Sequence, residues 1–81
     1  MDYLYLPQSG DREIISDEIV KYDRFSNDQL EKAIKRQKEV GVVGSRRQML
    51  ILIALRIVAR RRNIDCLIEI KDNCLIYFRD K

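Results

Sequence analysis

Met49-Leu50-Ile51-Leu52-Ile53-Ala54-Leu55 runs through the middle of the chain without a polar residue, and only Arg56 separates it from Ile57-Val58-Ala59. Ser45 followed by Gln48 has the Ser-x-x-Gln form of a capping box, which satisfies the free amides at a helix start. Asn63 tolerates the left-handed conformation and can stop the helix. A helix between those signals is about 25 Å long, the width of a small domain. Its apolar residues cover more than one stripe, so a helix lying on a surface would leave some of them in water. The sequence therefore predicts a long central apolar helix with neighbours on more than one side.

A bilayer is the other environment that could cover such a helix. The strict apolar run is seven residues, against roughly 20 for a span, and Arg56 would sit in mid-membrane at a large cost. No membrane span is expected. The N-terminus has acidic residues and Pro7 where a secretory signal needs a basic stretch and an apolar core, so a cytoplasmic location is expected. The 81 residues read as a single domain, 1–81, near the lower limit for folding alone. A 46% hydrophobic content argues for a folded chain even though 36% of residues are charged. The small core makes dimerisation a natural way to cover the rest of the central helix. Cys66 and Cys74 are expected as reduced thiols. There is no histidine, and two cysteines alone are not a metal site, so no metal or other cofactor is expected.

Elements on either side follow from local signals. Tyr3-Leu4-Tyr5-Leu6, closed by Pro7, reads as an edge strand, with Gly10 completing the exit. Asp11 is placed to cap a helix over 12–22 whose face holds Ile15, Ile19 and Tyr22. The β-branched pair Ile14-Ile15 leaves a strand open there. Ser26 with Gln29 makes a second capping box, and Phe25 with Leu30 occupies the staple positions around it. The following helix sets Leu30, Ala33, Ile34 and Gln37 inward and Lys32, Lys35, Arg36 and Lys38 outward, with Glu31 and Lys35 as an i,i+4 pair. Gly41 ends it, and Val42-Val43-Gly44 is a link short enough to make the two helices direct neighbours.

After Asn63 the hydrophobic period falls to two. Cys66–Lys71 and Cys74–Arg79 read as strands around a two-residue Asp72-Asn73 turn. That register sets Ile70 opposite Leu75 and Ile68 opposite Tyr77, leaving Leu67, Glu69, Ile76 and Phe78 on a mixed second face. The expected architecture is a small α+β domain of order β-α-α-α-β-β with a C-terminal antiparallel hairpin. The first strand can join that hairpin in a three-stranded antiparallel sheet.

Catalysis finds little support in these residues. Without histidine, a general base at neutral pH must be a strongly perturbed carboxylate, Cys or Lys, and Asp17 and Glu18 are adjacent and share no helical face. Gly41-Val42-Val43-Gly44-Ser45-Arg46 could meet an anion at a helix start, but it lacks the Gly-x-x-x-x-Gly-Lys pattern of a phosphate loop. No enzyme is expected. Helix, turn, helix, hairpin is also the order of a winged helix, with Arg46, Arg47 and Gln48 able to reach phosphates and base edges. Against it, a recognition helix keeps an exposed polar stripe, and Met49–Leu55 has none. Asp72 at the wing tip would also repel phosphate.

Charge is distributed unevenly. Residues 1–31 carry three basic and eight acidic side chains, and residues 32–62 carry ten basic and one acidic. Either the two segments neutralise each other inside the fold, or the basic one faces an anionic partner. The nucleic-acid reading assigns Lys32, Lys35, Arg36, Arg46, Arg47, Gln48, Arg60, Arg61 and Arg62 to DNA or RNA contact. It places the clusters at opposite ends of the central helix, so that only a symmetric dimer aligns them into a stripe. Leu52, Ile53, Arg56, Leu67, Ile76 and Phe78 are the expected interface residues. The competing reading is a protein–protein adaptor or inhibitor that covers its partner with the hairpin and its mixed apolar face.

Overall fold

The computed structural model describes residues 2–40, 46–72 and 75–79. Its elements are β1 (Asp2–Leu4), α1 (Asp11–Asp23), α2 (Asn27–Val40), α3 (Arg46–Arg61), β2 (Ile68–Lys71) and β3 (Leu75–Phe78). The chain thus follows the expected β-α-α-α-β-β order. β3 lies between β1 and β2 in one antiparallel sheet, so β1 does join the hairpin and is an edge strand. No helix of the described residues is long and apolar enough to cross a membrane.

Local chemistry sets the helix ends. Gly10 precedes α1 with φ 90°, a left-handed geometry that glycine adopts without strain. Asp11 is not the cap the sequence suggested; it is the first helical residue, and its carboxylate turns back to accept the Gln8 amide at 2.8 Å. At α2 both halves of the capping box form. The Gln29 amide donates to Ser26 Oγ at 3.1 Å, and the Ser26 amide donates to Gln29 Oε1 at 2.8 Å. Phe25 and Leu30 both belong to the core, and Phe25 meets the Tyr22 ring edge-on at 5.1 Å. The Ser45–Gln48 box, Gly41 and the Val42-Val43-Gly44 link lie outside the described residues, as do Asn73 and Cys74.

The far end of α3 closes as a Schellman motif. Asn63 has φ 57°, its amide donates to the Arg60 carbonyl at 3.2 Å, and the Ile64 amide donates to the Ala59 carbonyl at 2.9 Å. Between its ends α3 buries Leu50, Leu52, Ala54, Leu55, Val58 and Ala59. Leu50 and Leu52 stand about 200° apart around the axis, so burial extends well beyond one stripe. α1, α2 and β2 all pack against this helix. Gln37 bonds Gln48 at one end of the α2–α3 pair and Asn27 bonds Arg62 at the other, so α2 and α3 run antiparallel. Asp11 meets Arg46 and Asp23 meets Arg61, so α1 and α3 run in the same direction.

The hairpin register differs by one residue from the expected one. Ile68 pairs with Phe78, Ile70 with Ile76 and Lys71 with Leu75, which leaves three residues, 72–74, in the connection. Asp72 adopts φ 53° there. A slip of one residue exchanges the faces of one strand relative to the other. Ile76 and Phe78 consequently join Ile68 and Ile70 on the core face, and Leu75 and Tyr77 take the other face with Glu69 and Lys71. Leu67 also lies outside β2, which begins at Ile68 and not at Cys66 as expected. Its φ is 60°, and Cys66 and Ile68 on either side of it are both buried.

Candidate nucleic-acid interface

Asp11 is the most heavily bonded acid of the fold. It accepts from the Tyr5 hydroxyl at 3.0 Å, from the Gln8 amide, and from Arg46 through both Nε and Nη2. Arg46 Nη1 also donates to the Leu6 carbonyl at 2.9 Å, and its guanidinium lies 5.7 Å from the Tyr5 ring centre. Burial pushes the Asp11 carboxyl up, but the Gln8, Tyr5 and Arg46 hydrogen bonds and the Arg46 charge outweigh it and hold the group below the ordinary value of 3.8. Arg46 is therefore a structural clamp joining the β1 exit, α1 and α3.

Three more of the expected contact residues are engaged inside the molecule. Arg47 donates to Glu18 at 3.1 Å, where the acid is 5% exposed and the arginine mostly in water. Gln48 bonds Gln37. Arg62 spreads its guanidinium over the end of α1, donating to the Asp23 carbonyl at 2.8 Å, the Phe25 carbonyl at 2.7 Å and Asn27 Oδ1 at 3.2 Å. Arg61 lies 3.8 Å from Asp23 in an exposed pair worth little. Three acids of the N-terminal segment, Asp11, Glu18 and Asp23, thus pair with three of the ten cations of the basic one, Arg46, Arg47 and Arg61. Glu18 sits three positions after Ile15 on the Ile15–Ile19–Tyr22 face, a slot that forces a carboxylate toward the core and requires a cation there.

From Gln48 to Ala59 no residue of α3 is exposed. A helix lying in a major groove needs an exposed polar stripe, so α3 does not serve as a recognition helix. The interface set is likewise reduced. Leu52 is fully buried and Ile76 is 1% exposed, so both are spent on the chain's own core, and Phe78 packs against that core. Ile53 lines an open apolar groove of about 520 Å³ with Ile57, Ile15 and Ile19. Arg56 meets no carboxylate among the described residues; its Nε donates to the Ile68 carbonyl at 3.2 Å and ties α3 to β2.

Lys32, Lys35, Arg36 and Arg60 are exposed and form no ion pair among the described residues. The expected Glu31–Lys35 bridge is not formed. The antiparallel course of α2 along α3 also changes the layout of these cations. A cleft of about 600 Å³ has Lys35 and Lys38 in its wall, and one of about 500 Å³ has Arg56 and Arg60. The two clefts share Asp65 and Cys66, so α2 cations and the end of α3 border adjoining depressions within one molecule. Asp65 is held by Arg79, which also reaches Glu69 at 3.3 Å. Cys66 is a buried free thiol whose pKa is pushed up by burial, against the weaker opposing effects of a backbone hydrogen bond at Ile68 and the Arg56 charge.

Comparison with protein-family models, curated proteins and solved structures finds no match to this chain.

Proposed function

We propose that this protein is a small cytoplasmic homodimer that binds nucleic-acid phosphates through the outer face of α2, with α3 as the central apolar helix of the domain. One observation carries the reading. Arg46 and Arg62 are held by the fold and Arg47 pairs with Glu18, whereas Lys32, Lys35 and Arg36 stand without an ion pair among the described residues on one exposed helical face, at the i, i+3, i+4 spacing that makes neighbours. Arg60 lines a separate cleft that shares Asp65 and Cys66 with the one beside Lys35. Contact of this kind reads the backbone and not the bases, so it discriminates little between sequences. Ile53 supports a dimer contact through the groove between α1 and α3, because it is the expected interface residue that fronts open apolar surface there.

Size-exclusion chromatography with light scattering tests this directly, with and without a short mixed-sequence duplex at low and moderate salt. The expected result is a dimer that takes up duplex at low salt and releases it as salt rises. A species indifferent to nucleic acid at low salt rejects the proposal.

One observation favours the adaptor reading. β1 is a sheet edge, and Leu4 at its end and Leu6 beyond it are both more than half exposed. An extended segment of a protein partner could add to that edge. The surface differs from the hairpin face expected from sequence, whose Ile76 and Phe78 turn inward.

A further inference from the structure

Arg56 and Arg60 stand one turn apart on α3, and both enter the wall of the cleft of about 500 Å³ between the end of that helix and β2. The cleft also has Arg79, Asp65 and Glu69 in its wall. Arg79 bridges both carboxylates, and neither Arg56 nor Arg60 pairs with an acid among the described residues. Arg56 is half-buried, and its Nε is occupied by the Ile68 carbonyl, which fixes the plane of the guanidinium. Its Nη groups meet no carboxylate among the described residues. Desolvated cations are ordinarily paired. Arg62, the comparable half-buried arginine at the same end of α3, meets four oxygens of α1, Phe25 and Asn27. Arg56 has one.

The end of α3 does not oppose an anion here as strongly as a bare helix terminus would. The carbonyls of Ala59 and Arg60 are taken up by the amides of Ile64 and Asn63. We infer that the Arg56–Arg60 cleft is a binding site for a phosphate monoester, whose dianionic head suits two planar guanidinium forks. The inference does not depend on the α2 surface, because the cations of α2 take no part in this cleft. The phosphate can belong to a small phosphorylated molecule or to the 5′ end of a strand, and the chemistry of the head group is the same.

The test is a titration of the full chain with inorganic phosphate, against sodium chloride of matched ionic strength, followed through the Nε–Hε signals of the arginines by NMR. The expected result is a saturable shift at Arg56 and Arg60 with phosphate alone, weakened about tenfold or more in Arg60→Gln. Arg60 is exposed and its side chain donates no hydrogen bond among the described residues, so this variant keeps the structure. Arg56→Lys, which keeps the charge but loses the fork, should weaken the response as well. A response equal in chloride, or unchanged in Arg60→Gln, overturns the site. Single strands with and without a 5′ phosphate then distinguish the sources. Preference for the phosphorylated strand assigns the site to a strand end, and equal binding assigns it to a small ligand.

Discussion

Arg46 closes on Asp11 across 35 positions of sequence, and this contact joins the start of α1 to the start of α3. Tyr5 and the Gln8 amide complete the cluster, so the segment leaving β1 is held by the same carboxylate. The acidic N-terminal segment and the basic middle thus meet inside the fold at Asp11–Arg46, Glu18–Arg47 and Asp23–Arg61.

The Asp11 cluster makes a pH prediction. The carboxyl is depressed in the folded chain, so the unfolded chain binds a proton more readily. The stability it contributes is complete above the unfolded value of about 4 and is lost as pH falls through the folded one. Urea unfolding at pH 6 and pH 3 should show a larger acid loss for the natural chain than for Asp11→Asn. Equal losses would mean that Asp11 does not hold the three elements together.

Arg62 is a second structural arginine. Arg62→Ala removes donors to the Asp23 and Phe25 carbonyls and to Asn27, and should cost about 2–3 kcal/mol in denaturant unfolding. Arg62→Lys should recover little, since an ammonium cannot span the fork of acceptors. The salt slope of nucleic-acid binding should stay unchanged in either variant, because the guanidinium is turned inward.

The hairpin register sets Ile76 against Tyr77. Ile76 is 1% exposed on the core face, whereas Tyr77 is on the opposite face. Ile76→Ala should cost about 2–5 kcal/mol, and Tyr77→Ala markedly less. The reverse order in thermal or urea unfolding would restore the two-residue turn and its register.

Much of the architecture was legible because it rests on local signals. Ser26 and Gln29 name a helix start by chemistry that operates within four residues, and Asn63 names a helix end in the same way. The apolar density of Met49–Leu55 required cover on more than one side. The register was not legible, because it depends on the length of the connection: Ile68 and Ile70 face the core as expected, and pairing Lys71 with Leu75 turns Ile76 and Phe78 inward in place of Leu75 and Tyr77. The candidate site was half legible. Lys32, Lys35 and Arg36 could be placed outward from helical spacing alone. Arg46, Arg47 and Arg62 could not be withdrawn from it, because their partners lie 29 to 40 positions away and pairing at that distance depends on how the helices pack. The one signal available was Glu18, an acid in a core-facing slot.

The most direct test of the account is fluorescence anisotropy with a mixed-sequence duplex over a range of salt, comparing the natural chain with Lys32→Gln/Lys35→Gln/Arg36→Gln. These side chains are exposed, so circular dichroism and unfolding should be unchanged. The account predicts salt-dependent binding by the natural chain, with a slope of log affinity against log salt that falls by about 0.9 for each phosphate contact removed. Unchanged affinity and slope in the triple variant would contradict it, and would place any nucleic-acid contact away from α2.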